Sequence, residues 1–154
     1  SGLKSDEFEE IIHTSLNTKL VLEHYAGLGT TLMGKGKLKN AKTEHLDKHL
    51  EDFNEILKYS KYPNVYVKIH GLGEIEPRDK QLNDFFNLKD TNNIVKLLMD
   101  NFGPERLMWG SDFPPVSGRE GYSNSLKSIS ENKIFSKNDL LNIFWNSPKK
   151  VFNL

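Results

Sequence analysis

Three side chains able to do chemistry each follow an apolar run of strand length. They are His24, His70 and Asp112. Parallel α/β folds bind ligands at the carboxyl ends of their strands, so three such groups could hold a divalent metal or carry out acid–base catalysis. The alternative for each histidine is a satisfied polar side chain, and Asp112 could simply cap a turn.

The elements that must position these groups alternate along the chain. Runs of strand-forming residues, bounded by glycine, proline and asparagine, predict strands at 19–25, 65–70 and 106–111. Apolar periodicity and capping residues predict helices at 5–15, 43–60, 91–102, 122–132, after a capping box at 136–139, and from Ser147 onward. Residues 27–39 are too glycine-rich to predict regular structure. This order is typical of a parallel sheet with right-handed crossovers.

Period-two alternation assigns the candidate groups to faces of the predicted sheet. It puts His24 on the face of Leu20 and Leu22, and Asp112 on the face of Met108 and Gly110. A glycine one step below the aspartate suits a crowded interior. We therefore predict close packing around Gly110.

Three strands leave both edges of a sheet unpaired. A closed barrel of eight strand–helix units needs about 250 residues. The three strand–helix units predicted in these 154 residues correspond to a little under half of such a barrel. The chain also begins without methionine, which suggests a tag remnant or a piece of a longer protein.

The composition narrows the function classes. Lysine plus arginine equals aspartate plus glutamate at 21 each, so net charge favours neither nucleic acid nor an anionic membrane as partner. The absence of cysteine excludes disulfides, thiolate metal sites and a cysteine nucleophile. No apolar run reaches the roughly 20 residues of a membrane span, and the start has no signal-peptide pattern. We therefore expect a cytoplasmic protein.

Two other motifs could indicate a binding site, but each departs from the pattern that its ligand requires. Residues 29–36 match a phosphate-binding loop except at Gly36, where a serine or threonine should ligate magnesium. An ordinary loop is favoured there, although Lys35, Lys37 and Lys39 could attract an anionic substrate. His45 and His49 have a zinc-compatible spacing but no adjacent glutamate base, which favours an exposed helix face.

Four segments resemble the amidohydrolase-related metal-dependent hydrolases (amidohydrolase family 2), in particular a branch that includes lactone hydrolases. The stretch FGPERLMWGSDFP, residues 102–114, resembles that family's final-strand signature. Residues 20–27, 64–72 and 146–154 are similar to its sixth strand, its seventh strand and its closing segment. The resemblance implies an α/β fold in which residues 1–154 form the C-terminal part of a TIM (β/α)8 barrel, about strands 6–8 with their helices.

The resemblance also implies residue roles. Asp112 would be a metal ligand and the base that takes a proton from water, and His24 a second catalytic group acting on the substrate carbonyl or the water. His70 stands where the family usually has serine. The residues implied to bind substrate are His70, Lys68, Arg119, Tyr122 and Trp109. Arg119 would pair with a substrate carboxylate, and the alternative for it is a surface salt bridge.

The implied activity is metal-dependent hydrolysis of a lactone, or of a related C–O or C–N bond, with zinc, manganese or no metal as cofactor. The implied partners are a small carboxylated lactone and a second copy in a homo-oligomer, with neither nucleic acid nor membrane. The family's first-strand His-x-His pair is not among these residues, so we expect the chain alone to be inactive. The alternatives are an inactive half-barrel or partner-binding module, and a lyase or decarboxylase of the same superfamily.

Overall fold

Three short parallel strands form the centre of the structure, a computed structural model that describes residues 6–33, 53–71 and 89–154. They are β1 (Leu20–Leu22), β2 (Val65–Ile69) and β3 (Leu107–Trp109), arranged in the order β1-β2-β3. Each is an apolar run that ends close to the predicted position. The three predicted strands are therefore confirmed, with shorter bounds.

Helices connect and cover these strands. They span Asp6–Thr14, Glu23–Met33, Lys89–Phe102, Pro115–Gly118, Tyr122–Ser130, Lys137–Leu141 and Ser147–Phe152. Residues 53–57 are also helical, 3-10 turns lie at Lys58–Lys61 and Pro104–Arg106, and Asn142–Asn146 form a π-helical turn. Within these described segments, no helix combines the length and apolar character needed to cross a membrane.

Two predicted helix boundaries are confirmed by their contacts. The Ser136 hydroxyl accepts a hydrogen bond from the Asp139 N–H at 3.2 Å, and the Asp139 carboxylate accepts one from the Ser136 N–H at 2.8 Å. After Phe102 the chain turns at Gly103, whose φ of 74° is a conformation that glycine adopts without steric cost. Both ends were predictable because the signals are local.

One predicted loop is wrong in part, since residues 28–33 are helical, after a left-handed turn in the first half of the segment Glu23–Met33. Leu28 is almost fully buried in the core, and packing of this kind outweighs the low helix propensity of the glycines. Several other predictions fall outside the described residues: the Ser5 cap, most of the helix at 43–60, His45, His49, the three lysines at 35–39, and the end of the phosphate-loop motif.

The strand register divides the sheet into two faces. Val67 pairs with Leu107, and Lys68 pairs with Met108. Val67 and Leu107 are fully buried in the core against the helices. Because side chains alternate along a strand, Lys68 and Met108 lie on the opposite face.

Arg106 ties the amino-terminal ends of β2 and β3 to the helices. Its Nε donates to the Phe102 carbonyl at 2.8 Å, and its Nη1 donates to the carbonyls of Ser60 and Tyr62 at 2.8 and 2.9 Å. These acceptors lie at a helix end and in the turn before β2, where carbonyl groups lack helical partners. The arginine thus stabilises the amino-terminal end of the sheet, which is the end away from the candidate site.

Candidate active site at the carboxyl ends of the strands

The chain leaves β1 through a left-handed turn. His24, Tyr25 and Ala26 have φ values of 53°, 51° and 59°, and Gly27 follows at 83°. Non-glycine residues rarely adopt this region, and they do so mostly where the surrounding structure fixes them, often at functional sites. Tyr25 and Ala26 are buried, which anchors the turn to the core.

This turn brings His24 to the two other candidate groups. His24 Nε2 lies 3.9 Å from Asp112 Oδ1, and His70 Nδ1 lies 3.5 Å from the same oxygen. The two imidazole rings are 4.1 Å apart between centroids. Asp112 also has a positive φ, 57°, at the turn after β3. The predicted convergence of the three groups is thus present.

The face predicted for His24 is wrong. Leu22 is buried in the core on the helix side of the sheet, whereas His24 contacts groups on the opposite face. The left-handed turn is the reason, because it ends the two-residue alternation of the strand.

Glu23 is a site residue that the sequence did not reveal. Its Oε1 accepts a hydrogen bond from Lys68 Nζ at 2.7 Å, and its Oε2 lies 2.6 Å from His70 Nε2. Extending the alternation from Val21, rather than from Leu22, would have placed Glu23 on this face. The predicted site residue Lys68 therefore lies beside the cluster.

Burial and charge set the protonation of this pair. Burial raises the pKa of Glu23, but the hydrogen bond and positive charge of Lys68 outweigh it, so the pKa falls below its usual value. Burial, assisted by the nearby His24, lowers the pKa of His70 more than Glu23 and Asp112 raise it. At neutral pH Glu23 is therefore a carboxylate, and His70 is a neutral imidazole.

The cluster fits a divalent cation. His24, His70 and Asp112 each offer a ligand atom, and these atoms lie within 4.8 Å of one another. Among the described residues, the buried Nδ1 of His70 has no hydrogen-bond partner. Neutral imidazole nitrogens and a carboxylate oxygen are ligands that zinc takes, and catalytic zinc sites commonly have three protein ligands.

Arg119 contacts the other oxygen of the aspartate. Its Nη2 donates to Asp112 Oδ2 at 2.5 Å, and its Nε donates to Glu120 at 2.6 Å. The Glu120 side chain is fully buried, so its charge needs such a partner. Arg119 lies at the predicted site, with two of its nitrogens engaged by protein carboxylates. Its role toward a substrate carboxylate stays a prediction.

Trp109 and Tyr122 lie against each other, with ring centroids 5.7 Å apart and perpendicular planes. Trp109 also packs on Phe144 at 5.7 Å. Because Trp109 follows Met108 in β3, it faces the helices and not the cluster. The structure does not bring these two aromatic residues into the cluster, and substrate binding by them stays a prediction.

Gly110 lies close against side chains of the neighbouring strand β2. A Cβ atom at this position would be 2.7 Å from Lys68 Cδ and 3.4 Å from His70 Cβ. The first distance is shorter than any normal contact. The predicted need for a glycine below Asp112 is confirmed by this geometry.

The amidohydrolase family model matches residues 5–154. The chain belongs to the amidohydrolase family. Membership implies a TIM-barrel fold and indicates metal-dependent hydrolysis of small molecules as the activity of the parent family. No curated protein sequence matches this amidohydrolase chain.

Solved structures of similar fold are amidohydrolases about twice as long. A Burkholderia multivorans amidohydrolase with bound zinc has a TM-score of 0.69 and 18% identity, over 96% of this chain and 48% of that one. A Pseudomonas putida protein, provisionally named a 2-pyrone-4,6-dicarboxylic acid hydrolase, has a TM-score of 0.59 and 20% identity. The match covers 86% of this chain and 42% of that one. Amidohydrolase 2 of Bifidobacterium longum subsp. infantis has a TM-score of 0.57 and 14% identity. The match covers 96% of this chain and 45% of that one. The chain thus spans about half the length of these structures or less.

Proposed function

We propose that this chain supplies strands 6–8 of an amidohydrolase TIM barrel, as one partial domain, together with the side of the active site that those strands carry. The complete enzyme would hydrolyse a lactone with water. The observation that carries the proposal is the convergence of His24, His70 and Asp112 within 4.8 Å at the ends of three neighbouring parallel strands.

Each group then has a distinct task. Asp112 Oδ1 faces both histidines and accepts the proton of the attacking water, while Arg119 holds Oδ2 and fixes the carboxylate plane. His24, partly exposed beside Asp112, would polarise the substrate carbonyl if no cation is bound, and would be one of the ligands if a cation is bound. A divalent cation, zinc or manganese, would be held by Asp112, His24 and His70, and when bound it lowers the pKa of water toward neutrality.

The substrate class we propose is a carboxylated lactone. The name of the Pseudomonas putida structure supports it, since that name specifies a dicarboxylic acid with a lactone ring. Lys68 and Arg119 lie beside the cluster, but each is paired with carboxylates of the protein, which a substrate carboxylate would have to share or displace. Hydrolysis of a C–N bond is the less favoured chemistry.

Asp112→Asn in the longest protein that contains this chain tests the proposal. Removing a positioned base lowers turnover by about 10²–10⁴-fold, because general base catalysis contributes that much. The measurement is lactone hydrolysis at constant pH with 2-pyrone-4,6-dicarboxylic acid and an uncharged lactone, and zinc affinity is measured beside it.

Asp100→Asn is the matched control, since Asp100 is exposed on the helix Lys89–Phe102. It should leave turnover unchanged. Full hydrolysis by a natively folded Asp112→Asn variant would contradict the proposal, and so would failure of the wild type to hydrolyse any lactone.

A second candidate is a half-barrel that pairs with another polypeptide. Among the described residues, β1 and β3 are each paired on one side only, and unpaired strand edges can recruit further strands. Trp145, Phe152 and Leu154, in the carboxyl-terminal part of the chain, are also more than half exposed. Size-exclusion chromatography with light scattering tests this candidate. A protein that stays monomeric at all concentrations would exclude pairing with a second copy of the chain. A cytoplasmic location stays a prediction.

A further inference from the structure

Glu23 joins Lys68 to His70 through both of its carboxylate oxygens. Lys68 Nζ can only donate, so it fixes Oε1 as an acceptor at 2.7 Å. The second oxygen, Oε2, lies 2.6 Å from His70 Nε2. A carboxylate held in this way presents an acceptor to the ring nitrogen.

His70 Nε2 has a second neighbour that requires the opposite protonation. The backbone N–H of His24 points at it from 3.0 Å. In a neutral imidazole one nitrogen carries hydrogen and the other a lone pair. Nε2 either donates to Glu23 or accepts from His24, and the choice decides whether Nδ1 faces Asp112 with a lone pair or with a hydrogen.

We infer that Glu23 is a positioning residue that holds His70 in the Nε2–H tautomer, leaving the Nδ1 lone pair directed at the space shared with Asp112. A hydrogen bond to a carboxylate is roughly twice as strong as one between neutral groups, so Glu23 outweighs the His24 amide. The Nδ1–Asp112 contact, at 3.5 Å, is too long to compensate for the other tautomer. The consequence for a bound cation rests on the proposed function, but the tautomer does not.

Glu23→Gln tests this with almost no change of shape. The donor-only Lys68 would turn the glutamine oxygen toward itself, so the glutamine NH₂ would face His70 Nε2. Nε2 would then have to accept, and hydrogen would move to Nδ1. Nitrogen-15 NMR of the metal-free protein, with His70 assigned by its substitution, distinguishes the two tautomers.

We expect the Nε2–H form in the wild type and in Glu10→Gln, an exposed glutamate in the first helix, and the Nδ1–H form in Glu23→Gln. An unchanged tautomer in natively folded Glu23→Gln, or Nδ1–H already in the wild type, would overturn the inference.

Zinc affinity is the second readout, measured by competition with a chromophoric chelator. Loss of an orienting partner lowers metal affinity by about 10–100-fold, and we expect a loss of this size in Glu23→Gln but not in Glu10→Gln. If the wild type bound no zinc while the tautomer changed as expected, the proposed metal site would fail and the role of Glu23 would stand.

Discussion

Adding one methyl group at Gly110 tests how tightly the site is packed. In Gly110→Ala the new Cβ would lie 2.7 Å from Lys68 Cδ and 3.0 Å from Lys68 Cγ. Ordinary contact begins near 3.4 Å, so the atoms must separate by about 0.7 Å. His70 Cβ, at 3.4 Å, needs no shift. The strain therefore falls on the lysine stem.

The change in the free energy of unfolding in Gly110→Ala depends on how the Lys68 side chain moves to avoid the new methyl group. Driving it off its rotamer costs about 0.5–1.5 kcal/mol. Losing its half-exposed ion pair with Glu23 costs at most about 1 kcal/mol. Replacing glycine by alanine where the backbone conformation allows it recovers about 0.5–1 kcal/mol, because the unfolded chain loses entropy. The net change in Gly110→Ala then lies between a gain of about 0.5 kcal/mol and a loss of about 2 kcal/mol.

Gly118→Ala is the matched comparison, because a Cβ at Gly118 meets nothing within 4 Å. Gly118→Ala should gain the stability that comes from replacing glycine by alanine, without any steric clash. Urea unfolding should therefore find Gly110→Ala less stable than Gly118→Ala by about 0.5–2.5 kcal/mol. Equal stabilities for the two variants would refute the packing described around Lys68.

Two further substitutions test the scaffold. Arg106→Lys should lower the free energy of unfolding by about 1–3 kcal/mol, since an ammonium group cannot satisfy the same spread of carbonyls; an unchanged urea midpoint would show that the arginine contacts are dispensable. The pKa of Glu9 is lowered to about 2, chiefly by its hydrogen bond from Lys61, so its stabilisation is present above the ordinary value of 4.5 and lost as pH falls toward 2. Thermal melts should show Glu9→Gln less stable than wild type at neutral pH, with the gap closing in acid; a gap that persisted at pH 2 would contradict this assignment.

Local signals in the sequence account for much of the fold and for one corner of the site. The run from Leu107 to Trp109 is apolar and bounded by turn residues, so β3 and the loop carrying Asp112 could be placed without a structure. The capping box at Ser136 satisfies its hydrogen bonds within four residues, and Gly103 marks a helix end. Such features depend on neighbours in sequence, which is why a single sequence contains them.

The turn after β1 could not be predicted, because its cause is not local. Among non-glycine residues, asparagine, aspartate and histidine are enriched in left-handed conformations, whereas Tyr25 and Ala26 have no such preference. Contacts with the core and with His70 impose the turn. Glu23 was missed for the same reason, since its role is visible only from the distances to two side chains of β2.

The left-handed turn also shows where this protein could gain stability at the expense of its site. Three successive non-glycine residues in this conformation each carry a steric cost of about 1–2 kcal/mol. Glycine would relieve the cost, but it would remove the His24 imidazole or the buried anchors Tyr25 and Ala26. A search for thermostable variants that ignored activity would therefore favour glycine here, whereas selection for function would oppose it. How often glycine occurs at these three positions in natural variants would measure which pressure has prevailed.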